Sequence, residues 1–408
     1  MQNSRTQPPF PSAVPRVIGF VGGLAGRYVI GQWGSGFVLA LADLAEVGRV
    51  DLFCPTLDPG LTTDPIPYPP NVRVRSTYDV SRPSSLLRLL RALRGWTGDL
   101  LVFSSNTTSF GSKSSSAVLG LLLPFLARYV GRKPTVLVYH SSVLTSEVEV
   151  LGYNSFFDRI RGAVAARLER ALFRTVPTFV LLRCFRDRLA TRAPGARVGV
   201  FANEFLEAIP TIRLNHLDAE PAPPTGPIHR RPAVLLHGYW GPQKELEGAL
   251  RVLRELSHQG VAFDLSLSGA VNPHFPAYRQ KLEQLCEEYR DIISDRTGAT
   301  PERAIAKLMT DSDVLLLLYR ASGGQSGVLE ISSCFDLTTL VSDFPEYREK
   351  AETKSCVVLV SPGSAKEELR AVLTGARTRS PSRGPVGEKL RRSAQYVTEF
   401  LREAQRVA

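Results

Sequence analysis

The chain has 408 residues, 43% of them apolar and 22% charged, with a formal net charge of +11. That length exceeds one ordinary hydrophobic core and predicts two domains, and the ordinary composition excludes a disordered or fibrous chain. Five scattered cysteines (Cys54, Cys184, Cys286, Cys334, Cys356), never in a Cys-x-x-Cys pair, argue against structural zinc and for reduced thiols in a cytoplasmic protein.

The N-terminus, MQNSRTQPPFPSAVPR, is polar and proline-rich, so residues 1–15 are expected to be disordered and to lack the apolar core of a signal peptide. Short β-rich runs then alternate with helical periods. Strands are predicted at 17–22, 50–55, 72–76, 99–105, 135–141, 178–182 and 197–203, with helices at 35–46, 84–94, 113–130 and 156–174. The longest apolar stretch starts at Ala117 and is broken by Pro124, so no helix here is expected to span a bilayer. The segment DAEPAPPTGPIHRRP (218–232) carries five prolines and a glycine and reads as a linker.

The βα rhythm restarts with strands at 233–238, 263–269, 291–295, 313–319, 338–343 and 356–361, followed by an amphipathic stretch at 386–406. The predicted fold class is therefore α/β, with two Rossmann-like domains (16–217 and 233–385) facing each other across a cleft. A C-terminal helix (386–408) is expected to return to the first domain. Ligands of such sheets sit beyond the carboxyl ends of the strands, which puts the site in the cleft. Charge is uneven. Residues 1–225 hold 25 Lys/Arg against 16 Asp/Glu, whereas residues 226–408 hold 25 against 23.

Two segments of the second half suit an anion. YRASGGQSGVLE (Tyr319–Glu330) follows the apolar run DVLLLL, giving a strand, a glycine turn and a helix start. Helix N-termini point unpaired N–H groups outward and carry partial positive charge, and glycine lets a ligand approach the backbone. An ordinary βα turn is the competing reading. LLHGYWGPQKELEGALRVL (from Leu235) places Gly238 at a strand end and Lys244 at a helix entrance, where an ammonium group reaches phosphate oxygens in the same cleft. A solvated lysine is the plain alternative there.

On these residues the chain resembles the retaining GT-B glycosyltransferases of family 4. Gly238 and Lys244 match the family's Gly-Arg-x-x-x-x-Lys at the same offset, with Tyr239 in place of the arginine. Glu330 matches the second glutamate of Glu-x7-Glu, and Ser322 stands at the first. SDFPEYRE (342–349), with Glu346 after Pro345, resembles the segment after the family's next strand. The resemblance implies a donor site formed by Gly238, Tyr239, Lys244, Arg320, Gly324, Gln325, Ser326, Gly327, Val328 and Glu330. In it Glu330 would hold the ribose hydroxyls, and Arg320 would replace the missing arginine. In the first half, GFVGGLAGRYVIGQWGSGFVLALADLAE resembles the family's glycine-rich loop before the first helix, which implicates Gly22, Gly23, Gly34 and Ser35 beside the acceptor and the leaving diphosphate. A dinucleotide fingerprint fails there, because Leu39 occupies the third glycine position. His140 ends a strand where the family often has a cleft-facing histidine, and Lys244, His140 and Glu330 are the expected catalytic set.

The resemblance implies transfer of a sugar from a nucleotide-sugar to a hydroxyl acceptor on a glycan or lipid-linked precursor. No cofactor or metal is expected, since Asp311 and Asp313 precede a strand away from the cleft and read as turn chemistry. The losses at Tyr239 and Ser322 keep open a non-catalytic binding subunit, although some family members carry a similar QSGV variant. Nucleic-acid binding would rest on charge alone and is not expected. Two arginine-rich stretches, 84–96 and 156–174, are either surface helices with leucines in the core or contacts with an anionic membrane. The second option implies a cytoplasmic protein held peripherally at the inner face of a membrane.

Overall fold

The computed structural model describes residues 14–22, 29–56, 66–106, 109–111, 114–145, 156–201, 206, 209–210, 231–272, 275–298, 302–321, 324, 326–335, 337–361, 363–375 and 386–408. The predicted N-terminal tail and nearly all of the predicted linker lie outside these residues. Each predicted strand is present within a few residues of its expected bounds.

In the first half, β1 (Val17–Val21), β2 (Arg49–Pro55), β3 (Val72–Tyr78), β4 (Leu100–Ser105), β5 (Thr135–Tyr139), β6 (Thr178–Val180) and β7 (Val198–Val200) form one seven-stranded sheet. Their order is β3-β2-β1-β4-β5-β6-β7, and all pairs are parallel. Alternate residues feed two cores, one per face. Ile18, Phe20, Leu100 and Val102 enter one; Val21, Leu101, Phe103 and Leu137 enter the other. Such continuous apolar strands are what a parallel sheet covered on both faces requires. The cover is α1 (Val29–Ala42), α2 (Leu86–Gly95), α3 (Ser114–Tyr129), α4 (Phe156–Thr175) and α5 (Arg183–Arg192).

The second sheet has six strands: β8 (Ala233–His237), β9 (Asp264–Ser268), β10 (Ile293–Thr297), β11 (Val314–Leu317), β12 (Thr338–Ser342) and β13 (Val357–Val360), in the order β10-β9-β8-β11-β12-β13. It is also parallel, with its own pair of cores. Its helices are α6 (Leu246–His258), α7 (Tyr278–Glu288), α8 (Glu302–Asp311), α9 (Gly327–Cys334), α10 (Pro345–Ala351) and α11 (Ala365–Leu373). Strand order reverses between β1 and β4 and again between β8 and β11. At such a switch point the flanking loops diverge and leave a crevice.

Several contacts among the described residues join the halves. The last helix, α12 (Val386–Val407), returns to the first sheet as expected, burying Val397, Phe400, Leu401 and Ala404 in the α1 core. Glu349 of α10 accepts the backbone N–H groups of Arg183 (2.7 Å) and Cys184 (3.0 Å), so a carboxylate of one half caps α5 of the other. The Arg183 guanidinium adds pairs to Glu349 and Glu352.

Two expectations need correction. The first helix begins at Val29, which places Gly34 and Ser35 inside α1 and buried, with the Ser35 hydroxyl accepting from Tyr68 at 2.9 Å. The wide apolar face of α1, from Trp33 to Leu41, carries the helix through the glycines because burial outweighs their low propensity. The apolar side of α2 also faces inward, with Leu86, Leu89, Leu93 and Trp96 buried and Trp96 donating to Asp51 at 2.9 Å. It is a core-packed helix, with Leu87 left outside.

Gly36 marks where α1 lies against the backbone of Leu206, whose carbonyl would collide with any Cβ placed there. Backbone cannot yield as a side-chain tip does, so Gly36→Ala should destabilise the chain by about 1–3 kcal/mol through forced separation. Denaturant unfolding checks this, and a midpoint equal to wild type would refute it.

Candidate functional site

The crevice of the second sheet is built by the loops after β8 and β11. After β8 the chain turns at Gly238, whose φ of +137° suits glycine. A Cβ there would collide with Lys244 Nζ and sit 3.6 Å from Val328 Cγ2. The loop then lies along both neighbouring strand ends: Trp240 N–H donates to the Ala270 carbonyl (2.8 Å) and Arg320 N–H to the Gln243 carbonyl (2.9 Å). This pairing turns Lys244 back over the strand end. Its ammonium donates to the His237 carbonyl at 3.3 Å and stands 5.3 Å from the ring centroids of both Trp240 and Tyr319. Two aromatic faces at that distance attract a cation and limit its positions.

The loop after β11 reaches the same place. Tyr319 O–H and Ser326 Oγ are 2.9 Å apart, and Ser326 caps α9 by accepting from Leu329 N–H. The N–H groups of the first turn, those of Gly327 and Val328, have no partner within the helix, and the Val328 side chain meets Lys244 beside Gly238. Gly324 completes the link to the first half. A Cβ on it would lie 3.4 Å from Ser141 Cβ and 3.8 Å from the His140 carbonyl oxygen. The strand ends of β5, β8 and β11 therefore converge.

His140 is boxed in. Its Nε2 lies 2.8 Å from Ser104 Oγ, and its ring meets Trp33 edge-on at 4.6 Å between centroids. Burial lowers its pKa from 6.5 to about 3, so the imidazole is neutral at physiological pH. The loop after it is anchored from below by Glu169 of α4, a fully buried carboxylate that accepts from Tyr139 O–H (2.8 Å), Ser142 O–H and Val143 N–H (3.3 Å).

Glu330 sits on α9 with no exposed surface, and its two oxygens face the ammonium groups of Lys350 (2.7 Å) and Lys354. Burial alone would raise its pKa. The two lysine charges overcome this and hold it near 2, against an ordinary 4.5. The expected open carboxylate is thus the centre of a buried ion triad. Arg320 also differs from expectation, because its guanidinium is paired with Glu245 at the start of α6. Tyr239 is partly exposed at the rim. Gly22 ends β1, donating to the Phe53 carbonyl at 3.2 Å. Gly23, Ser322 and Gln325 lie outside the described residues.

The structure thus brings Gly238, Lys244, Gly324, Ser326, Gly327, Val328 and His140 together. Gly34 and Ser35 belong to a buried helix. Sequence reasoning missed Trp240 and Tyr319 beside Lys244, Glu169 beneath the His140 loop, and the lysine partners of Glu330. The first pair carried a signal, being aromatics at the two strand ends already singled out. Asp313 accepts Ala233 N–H at 2.9 Å, and Asp311 pairs with Lys307 at 2.7 Å, both at the amino end of the sheet. Among the described residues no cluster of three His, Cys, Asp or Glu side chains could hold a metal.

No family model and no curated protein matches the chain. Solved structures do. A sucrose-phosphate synthase from Thermosynechococcus elongatus matches with a TM-score of 0.61 and 16% identity, over 95% of this chain and 96% of that one. HepE from Anabaena, solved with UDP and glucose, matches at 0.59 and 13% identity, over 95% of each chain. WaaG, a glycosyltransferase involved in lipopolysaccharide biosynthesis, matches at 0.56 and 16% identity, over 96% and 99%. At these identities the likeness establishes the fold, and that fold is GT-B.

The Glu330 triad has a pH signature. Its folded pKa lies below the unfolded one, so its stabilisation is complete above pH 4.5 and is lost as pH falls toward about 2. Glu330→Gln would leave two buried ammonium groups without their counter-charge, at a cost of about 3–5 kcal/mol at neutral pH. Urea unfolding across pH should show this loss, together with a shallower acid slope than wild type between pH 4.5 and 2. An unchanged neutral stability would overturn the assignment.

Proposed function

We propose that the protein is a retaining glycosyltransferase that moves a sugar from a nucleotide-sugar to a hydroxyl acceptor, with the donor held by the second domain. The observation that carries this reading is the meeting of Lys244 and the start of α9 beside Gly238 at a switch point, with Gly324 of the same loop against His140 and Ser141. Glycosyl transfer with a diphosphate leaving group must stabilise negative charge that grows as the bond to the sugar breaks. Fixed donors aimed at that charge need no reorganisation during the reaction. The Lys244 ammonium, restrained by Trp240 and Tyr319, supplies a full charge. The Gly327 and Val328 N–H groups supply oriented dipoles at the helix start. Gly238 leaves room for the diphosphate to lie against the backbone.

His140 takes part as a neutral imidazole. It supplies hydrogen-bonding polarity at the first-domain wall, and with a pKa near 3 it does not carry a proton into the reaction at neutral pH. Glu330 acts from beneath by holding α9 in place through Lys350 and Lys354. HepE, solved with UDP and glucose, supports a nucleotide-sugar donor of that kind on the same fold. The acceptor reading is a glycan or lipid-linked precursor met at a membrane surface on the cytoplasmic side.

A second reading, a non-catalytic partner subunit, is favoured by one observation: the arginine nearest the crevice, Arg320, spends its charge on Glu245. A screen for nucleotide release over several nucleotide-sugars separates the two. The enzyme reading expects release from at least one donor, and Lys244→Ala should lower that turnover by about two to three orders of magnitude with folding intact. Near-normal turnover in the variant would sink the role given to Lys244. Activity is further expected to survive exhaustive EDTA treatment, since Asp311 and Asp313 are engaged at the far end of the sheet. Loss on chelation, restored by Mn²⁺ or Mg²⁺, would show that a metal takes part.

A further inference from the structure

The helix α4 begins FFDRIRGAVAARLER, and from Phe156 to Leu168 none of its residues is buried. It packs on the core from Ala166 onward, through Leu168, Leu172 and Phe173. Its earlier turns leave apolar side chains outside. Phe156, Ile160 and Val164 recur every four residues and share one face, with Phe157 beside them. They are 72%, 46%, 42% and 69% exposed, and the two phenylalanine rings touch edge-on at 6.0 Å. Arg159 and Arg161 stand on either side of Ile160 and flank the stripe, and Arg167, Arg170 and Arg174 continue along the helix. Of its two acids, Asp158 pairs loosely with Arg161 at 3.8 Å beside the stripe, and Glu169 is inside the protein.

We infer that the first three turns of α4 dock on an anionic membrane surface, laying Phe156, Phe157, Ile160 and Val164 among the lipid chains and the arginines against the headgroups. An apolar stripe flanked by arginines is the pattern that holds a helix in a membrane interface. Isologous pairing with a second copy would set the same arginines against one another, which disfavours a dimer through this face. Position agrees as well. α4 follows β5, and its Glu169 holds the loop after His140, so the docking helix is joined to the first-half wall of the cleft. The use of this docking rests on the proposed lipid-linked acceptor. The binding itself does not.

The test is co-sedimentation of the full chain with phosphatidylglycerol-containing vesicles and with pure phosphatidylcholine vesicles, at low and high salt. Binding is expected on the anionic vesicles and should weaken with salt. Phe156→Ser with Phe157→Ser should weaken it about tenfold or more, and Arg159→Ser with Arg161→Ser about fivefold per charge. Nucleotide affinity, measured on the same proteins, should stay at the wild-type value, which also shows that the variants fold. Equal binding to both lipids, binding to neither, or wild-type binding by both variants would overturn the inference. So would a dimer in sedimentation velocity that only the phenylalanine variant dissolves. A chain that binds vesicles but turns over no nucleotide-sugar would support the docking surface while removing the enzymatic reading.

Discussion

The cleft depends on one buried ring. Phe400, near the C-terminal end of the chain, packs against Phe37, Phe179 and Phe201 with centroids 5.3, 4.9 and 4.6 Å away. Those partners come from a helix, a strand and the residue after another strand of the first half, so this ring, with Val397, Leu401 and Ala404 beside it, ties the end of the chain to the opposite core. Burial of such a ring is worth about 1.5–3 kcal/mol, and each aromatic pair adds about 0.5–1.5 kcal/mol. Glu349, capping α5 from α10, supplies a second tie of a different kind. One contact is apolar and insensitive to salt. The other is charged and exposed to screening. Sliding of the two halves would work against the second before the first.

Around the crevice, the described cations differ in what they face. Lys350 and Lys354 are committed to Glu330, and Arg320 to Glu245. Lys244 faces aromatic rings and a carbonyl, which hold an ammonium group without neutralising it. That distinction is what the proposed donor site between β8 and β11 rests on beyond the glycines, because a pre-positioned charge loses little freedom when a diphosphate arrives.

The first domain contributes shape and surroundings more than charge. Its described wall toward the second domain includes a buried, neutral histidine between Trp33 and Ser104. One helix serves both regions. The inner part of α4 carries Glu169, which holds the loop after β5, and its outer part carries the exposed phenylalanines. A surface bound at one end of that helix is thus mechanically continuous with the wall of the site at the other.

The sequence by itself determined the strands, the two parallel sheets, the return of the last helix and the two strand-to-helix junctions that form the crevice. The strands, sheets and junctions follow from local signals: apolar runs of strand length, glycine at strand ends, and periodic helices between them; the return of the last helix was legible only through the family resemblance. Only the tertiary structure decided what each charged or aromatic residue does. Glu330 became the centre of an ion triad because α10 and the turn after it place Lys350 and Lys354 over it, and Arg320 was drawn to Glu245 by the pairing of two loops. The two arginine-rich helices look alike in sequence, yet α2 lies flat on the sheet and buries its leucines while the start of α4 runs past the edge of the core. Periodicity tells which residues share a face. Whether that face meets protein depends on how far the sheet extends beneath it, and this is set by residues distant in the chain.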